Sequence, residues 1–121
     1  MRASRSELPI LVEAGDASIR GADWDGMRVV LVSVPAGSDF GPLLKGLPND
    51  RCPCPHWGYV LKGRLRVDTG GVEEILTAGD YYYMAAGHTA VAEEDTDFLE
   101  VAPSDLHQQA VEGVLRNLAA M

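Results

Sequence analysis

The sequence predicts an all-β sandwich or barrel followed by one C-terminal helix. Short β-rich segments recur between residues 17 and 102, and glycine, proline and aspartate turns separate them. Seven or eight strands at this spacing, with no helix between them, are typical of a sandwich or barrel. Beyond residue 102 the apolar period changes from that of a strand to that of a helix.

The predicted strands follow one another closely, and their turns have recognisable chemistry. Thr69-Gly-Gly71 predicts a tight hairpin, because two glycines adopt the positive φ angles that a two-residue turn requires. Residues 40–50 contain three glycine or proline breaks and are predicted to form a loop. The strands are expected at residues 17–22, 27–34, 57–62, 64–68, 72–76, 81–84, 89–92 and 97–101.

The C-terminal segment is predicted to be an amphipathic helix. Ser104 is the expected N-cap, and one apolar stripe comprises Leu106, Ala110, Val114 and Leu118. This helix is expected to pack across the outside of the barrel or against a second subunit, with His107 at the surface. The predicted organisation is an N-terminal arm (1–16), a barrel (17–102) and a C-terminal helix (103–121).

Composition limits the classes of partner. At 121 residues the chain is long enough for one core, and its formal net charge of −8 disfavours nucleic acid as a partner. Its apolar runs are far shorter than the roughly 20 residues that span a bilayer, so no membrane contact is predicted. A cytoplasmic location is expected, where two cysteines are typically ligands or free thiols rather than a disulfide.

Two segments carry residues that bind metals. Cys52, Cys54 and His56 alternate just before a β-rich run, and His88 follows about thirty residues later. Alternate residues of a strand face the same side at roughly 6.6 Å spacing, so neighbouring members of the first segment can share one ion. Three successive members span roughly 13 Å, which requires the chain to bend, and the intervening prolines make that bend plausible.

These two segments resemble the motifs of the cupin superfamily, and more closely those of small single-domain bacterial cupins. The first is Pro55-His-Trp-Gly-Tyr-Val-Leu-Lys-Gly-Arg64 and the second is Ala78-Gly-Asp-Tyr-Tyr-Tyr-Met-Ala-Ala-Gly-His88. The resemblance implies a cupin-type jelly-roll β-barrel. Cupins usually carry two histidines and a glutamate in the first motif, but here those positions hold Asp50, Cys52 and His56, so the usual ligand set is absent.

The metal hypothesis takes His56 and His88 as the first ligands, Cys54 next and Cys52 last. Thiolate and imidazole ligands favour zinc over magnesium or calcium. The alternatives are a metal-free pocket in which both cysteines are packing residues, and a redox pair, which is disfavoured because so small a ring is strained.

Two functional hypotheses follow. One is a Lewis-acid enzyme acting on a small metabolite, with Tyr82 as acid or base. The other is a non-catalytic small-molecule-binding cupin, with a structural metal or none. Oxygenase chemistry is a lesser option. A homodimer is expected, because small cupins commonly pair through edge strands.

Overall fold

Two antiparallel β-sheets face each other in the computed structural model, which describes residues 1–121. The larger sheet has the order β1-β2-β3-β9-β4-β7 and the smaller has the order β6-β5-β8. The predicted β-barrel with one C-terminal helix is confirmed. Its elements are β1 (Ile10–Ala14), β2 (Ala17–Trp24), β3 (Met27–Val34), β4 (His56–Lys62), β5 (Arg64–Thr69), β6 (Val72–Thr77), β7 (Tyr81–Met84), β8 (His88–Ala92), β9 (Thr96–Pro103) and helix α1 (Ser104–Ala119).

The barrel interior is filled by alternate residues of the strands. On β9 every second residue from Thr96 to Ala102 is buried, and the outward residues between them are more exposed. Burying a valine, leucine or phenylalanine side chain contributes about 1.5–3 kcal/mol, so this alternation fixes which face points inward. The main cluster includes Val30, Val32, Val60, Leu65, Val67 and Phe98.

The predicted hairpin joins β5 to β6. Gly70 and Gly71 both have positive φ angles, of 61° and 88°, and Thr69 pairs with Val72 across the turn. Residues with side chains rarely adopt such angles, so the two glycines fix the register of this hairpin.

The segment predicted as an N-terminal arm contains a strand. Residues 10–14 form β1, which pairs with β2 at the edge of the larger sheet. The predicted loop at 40–50 contains two short 3-10 turns, Gly41–Leu44 and Pro48–Asp50.

Helix α1 packs on its own chain, against the 3-10 turn at Gly41–Leu44, β1 and β9. Asn117 Nδ2 donates hydrogen bonds to the carbonyl oxygens of Leu43 and Lys45, at 2.6 and 2.9 Å, which ties the loop to the helix. Ser104 is the first helical residue and makes no capping hydrogen bond, so its prediction as N-cap is wrong by one position. Pro103 occupies the N-cap position, with φ of −57° and ψ of 127°.

A second core lies between the helix and the barrel. It is formed by Val12, Leu44, Leu47, Cys52, Cys54, Ala102, Ala110, Val111 and Val114. Leu115, which follows Val114 on the helix, is 43% exposed. The structure contains no helix long and apolar enough to cross a membrane.

Candidate metal site

Cys52 and His56 meet because the chain crosses from one sheet to the other between them. Cys52 forms an isolated bridge with His88 of the smaller sheet, whereas His56 begins β4 in the larger sheet. Pro53 and Pro55 lie in this crossing and cannot donate ladder hydrogen bonds, so no regular strand runs through it. The result is a separation of 3.6 Å between Cys52 Sγ and His56 Nε2.

His88 enters the same site from the first position of β8. Its backbone carbonyl accepts a hydrogen bond from Cys52 N at 3.0 Å, which fixes the two residues side by side. The His88 and His56 rings lie edge to face, with centroids 4.8 Å apart. Cys52, His56 and His88 are buried, and each offers one ligand atom within 4.8 Å of the other two.

Cys54 lies outside this group, although the sequence analysis ranked it above Cys52. Its thiol is fully buried in the second core and donates weakly to the carbonyl oxygen of Pro55 at 3.4 Å. Both cysteines are free thiols. The alternation expected for residues 52, 54 and 56 fails because this segment is a crossing between sheets rather than a strand.

Burial controls the protonation of the three clustered residues. Removal from water lowers the pKa of His56 to about 4, and the same cause, followed by the proximity of His56, lowers the pKa of His88 to about 4. Both imidazoles are therefore neutral at neutral pH. Burial also raises the pKa of the Cys52 thiol to about 11.

A buried carboxyl, Glu100, completes the polar lining. Its Oε2 lies 3.8 Å from His56 Nδ1, and its Oε1 accepts a 2.8 Å hydrogen bond from the Tyr82 hydroxyl. Burial raises the pKa of Glu100 to about 7, although the Tyr82 hydrogen bond acts in the opposite direction. Burial, followed by the charge of Glu100, raises the pKa of Tyr82 above its usual range.

Gly58 makes room for Tyr82. A Cβ at this position would collide with the Tyr82 ring and hydroxyl and with the carbonyl oxygen of Leu99. Tyr82 therefore lies across β4, with its hydroxyl directed to Glu100. Its neighbours on β7, Tyr81 and Tyr83, point outward and are 85% and 54% exposed, because successive residues of a strand face opposite sides.

His107 belongs to the site, and its prediction as a surface residue is wrong. It is 5% exposed, and its ring centroid lies 5.9 Å from that of His56. Arg28 Nη1 donates to His107 Nδ1 at 3.1 Å, and Arg28 is held in turn by two contacts to Asp23, at 2.8 and 3.2 Å. The first turn of α1 is thus anchored to β3 inside the protein.

The site opens on a cavity of about 70 Å³ between the barrel and α1. Its five polar lining residues are His56, His88, Thr89, Glu100 and His107, and the other twelve of its seventeen lining residues, which include Cys52, are apolar. The cavity thus has room for a few water-sized groups beside the clustered ligand atoms.

Glu100 and His107 were not predicted as site residues from the sequence, although the position of each within its element indicates a buried side chain. Glu100 has the same parity on β9 as Phe98, so it occupies an inward position of an alternating strand. His107 precedes Val111 by four residues and Ala110 by three, which places it on the buried face of the helix.

Comparisons with known proteins agree with the β-barrel fold. Residues 53–102 match the family model described as a cupin domain, and a search of curated proteins found no match. The fold is similar to an RmlC-like cupin from Shewanella frigidimarina (17% identity, TM-score 0.62, covering 84% of this chain and 87% of the other). It is also similar to KdgF from Halomonas sp. (21% identity, TM-score 0.61, covering 83% of this chain and 89% of the other). A third similar structure is the polyketide cyclase RemF from Streptomyces resistomycificus (18% identity, TM-score 0.62, covering 85% of this chain and 78% of the other).

At these identities the structural likeness shows the fold alone. The family match covers β4 to β9 up to Ala102, which includes His56, His88 and Glu100. Residues 53–102 therefore match a cupin domain, and the chain as a whole has the barrel fold of the cupin structures compared above.

Proposed function

We propose that this protein holds one divalent ion, of the zinc type, through Cys52, His56 and His88, and acts on a small molecule bound beside it. The observation that carries the proposal is the convergence of three buried ligand atoms from two sheets. One thiolate and two neutral imidazoles form a donor set that suits zinc, and Cys52 would release its thiol proton to solvent as the ion binds.

The spacing of Cys52 and His56 fits an ion. Two ligands of one tetrahedral zinc lie roughly 3.3–3.6 Å apart, given the usual zinc–nitrogen and zinc–sulfur bond lengths. The distance of 3.6 Å between Cys52 Sγ and His56 Nε2 agrees with this spacing. His88 Nδ1 donates to the carbonyl oxygen of Ala85 at 2.7 Å, so its Nε2 carries the free lone pair.

A three-ligand site differs from a closed structural one. Structural zinc sites are typically enclosed by four protein ligands, whereas catalytic sites keep one position open for water or substrate. Cys54 is directed away from the cluster, so this chain offers three ligands and a cavity. An ion in such a site supplies Lewis-acid polarisation of a substrate oxygen.

Glu100 is the residue we propose for proton transfer. Its pKa of about 7 allows it to accept or release a proton near neutral pH, and it lines the cavity. Tyr82, the acid or base suggested by the sequence, instead donates to Glu100 and stays protonated because its pKa is raised. Its role is therefore to orient the carboxyl group.

The second candidate function is small-molecule binding without catalysis. The lining of the cavity, which is mostly apolar with a few convergent polar groups, is typical of binding pockets as well as of active sites. Turnover of a bound compound that depends on Glu100 distinguishes the enzyme from the binding protein.

We also propose a homodimer in a reducing, cytoplasmic setting. Strand β7 is an unpaired edge of the larger sheet, and Trp57 next to it on β4 is 49% exposed beside Tyr83. Pairing two copies along this edge would cover the aromatic side chains and remove an edge open to aggregation. A reducing compartment would keep Cys52 and Cys54 in the free state.

Elemental analysis of untagged protein purified without chelator tests the proposed function. We expect about one zinc per chain, and a Cys52 thiol that reacts with a thiol reagent only after chelation and partial opening. Stoichiometric metal retained by both the His56→Ala and the His88→Ala variants would contradict the site. Metal-free protein with no zinc uptake on titration would contradict it as well.

A further inference from the structure

The imidazole of His107 is held in one tautomer. Arginine has only N–H donors, so the 3.1 Å contact between Arg28 Nη1 and His107 Nδ1 requires Nδ1 to be the acceptor. The proton of the neutral ring then lies on Nε2. Asp23 fixes the guanidinium through both carboxylate oxygens, so the direction of this hydrogen bond is built into the fold.

This arrangement makes His107 a donor rather than a further metal ligand. A ring whose Nδ1 lone pair accepts from Arg28 and whose Nε2 carries the proton has no lone pair left for an ion. Nε2 makes no hydrogen bond within the protein, it is not one of the enclosed polar atoms, and the residue lines the cavity. The N–H group is therefore free to donate to an acceptor that enters the cavity.

Two other polar atoms of the cavity lining also lack a hydrogen-bond partner, the Thr89 hydroxyl and His56 Nδ1, but unlike His107 Nε2 they are enclosed. Buried polar groups without partners are rare, because each costs about 1–3 kcal/mol. The accessible His107 N–H is thus the free donor of the cavity. The remaining lining is mainly apolar, so a ligand that pairs with this donor has a polar end and an apolar body.

We propose that His107, contributed by the C-terminal helix, donates from Nε2–H to an oxygen of the bound ligand, and that this ligand is a small carboxylate or carbonyl compound with an apolar body. The proposal rests on the proposed function in that the oxygen lies beside Cys52, His56 and His88. It assigns to α1 a part in ligand selection, because compounds without an acceptor oxygen would leave the N–H group unpaired.

Two variants of His107 distinguish the role of Nδ1 as an acceptor from the role of Nε2 as a donor. In His107→Asn the side-chain oxygen can replace Nδ1 as acceptor for Arg28, but nothing replaces the Nε2 donor. In His107→Gln the longer side chain places an amide N–H near the Nε2 position. Protein loaded with cobalt(II) is titrated with propionate as the probe, and binding is followed through the visible spectrum of the metal.

We expect His107→Asn to weaken propionate binding about tenfold, the loss expected for one hydrogen bond to a charged acceptor. His107→Gln should stay within about threefold of the wild type, and both variants should bind cobalt stoichiometrically. Equal propionate affinity in the wild type and His107→Asn would overturn the proposal. Failure of cobalt-loaded wild type to bind propionate would overturn it too.

Nitrogen NMR of the metal-free protein tests the tautomer separately. The side-chain resonances of His107 should show protonated Nε2 and unprotonated Nδ1, and propionate should shift the Nε2 resonance. A proton on Nδ1, or an Nε2 resonance that propionate does not shift, would contradict the inference whether or not the protein binds metal. A wild type that binds no cobalt but passes this test would refute the metal site alone.

Discussion

His88 Nδ1 donates to the carbonyl oxygen of Ala85 across 2.7 Å, and this hydrogen bond decides what His88 can do. Because a carbonyl can only accept, the proton of the neutral ring lies on Nδ1 and Nε2 is left as a lone-pair donor. His107 shows the opposite arrangement, since Arg28 claims its Nδ1 lone pair. Two buried histidines of one cavity are thus given different chemical roles by the atoms behind them.

The stability of the metal-free protein should decrease on acidification. His56, His88 and His107 have pKa values of about 4, 4 and 3 in the fold against an ordinary 6.5. Below pH 6.5 the unfolded chain therefore binds more protons, and each histidine lowers the free energy of unfolding by roughly 1.4 kcal/mol per pH unit. Glu100, whose pKa is raised from 4.5 to about 7, keeps its proton in the folded state and so offsets the effect of one of the three histidines.

As the pH falls from 6 to 4.5, the free energy of unfolding should therefore decrease by about 3 kcal/mol per pH unit, which is the effect of two histidines. Urea unfolding in the presence of chelator measures it. His107→Asn should reduce the slope by about half, because one of these two net protons is removed. A free energy of unfolding that is constant over this range would contradict the neutral, buried state of the histidines.

Glu100 should titrate near neutral pH. Its protonated carboxyl has a distinct infrared band, and we expect that band to disappear with an apparent pKa of about 7 in metal-free protein. Tyr82→Phe should raise this pKa further, because the Tyr82 hydrogen bond stabilises the carboxylate. Glu100→Gln is the control that assigns the band, and a band lost below pH 5 would refute the assignment.

Gly58→Ala should displace Tyr82 from Glu100. The added methyl group would collide with the Tyr82 ring and with the backbone carbonyl oxygen of Leu99, so the ring has to shift. A loss of about 1–3 kcal/mol in the free energy of unfolding is expected for such overpacking. Gly41→Ala is a control, because its methyl group would meet side-chain atoms alone, Asp39 Oδ1 at 3.1 Å and Thr89 Oγ1 at 3.9 Å. Equal losses in both variants would contradict the role of Gly58.

The aromatic edge of the larger sheet should determine the oligomeric state. Light scattering is expected to show a dimer for the wild type and a monomer for Trp57→Lys. Ile75→Lys is the control, because it also replaces an exposed apolar residue by lysine but lies on the smaller sheet. Ile75 is 40% exposed and Trp57 is 49% exposed. A monomeric wild type, or dissociation by both substitutions, would refute pairing through β7.

The fold could be predicted because its signals are local. The β-rich run at 27–34 and the paired glycines at 70–71 each determine structure over a few residues, and the observed strands agree with them. Ser104 was misplaced because a serine before an apolar stripe indicates a helix start only to within a residue or so.

The site could be predicted only in part because it depends on long-range register. His56 and His88 were chosen by residue type, and the fold brings their rings together. The ranking of Cys54 above Cys52 assumed a continuous strand, whereas the backbone bonds between Cys52 and residues 87–88 decide which thiol faces the histidines. Glu100 and His107 were missed because buried faces are identified by their apolar residues, and a single polar residue on such a face interrupts that pattern.

The visible spectrum of the cobalt-loaded protein tests the central claim most directly. Cobalt(II) bound by a thiolate shows sulfur-to-metal charge-transfer absorption, and we predict this band in the wild type and in Cys54→Ser. The band should be absent from Cys52→Ser, because only Cys52 shares a cluster with His56 and His88. A band that survives Cys52→Ser and disappears in Cys54→Ser would contradict the site described here.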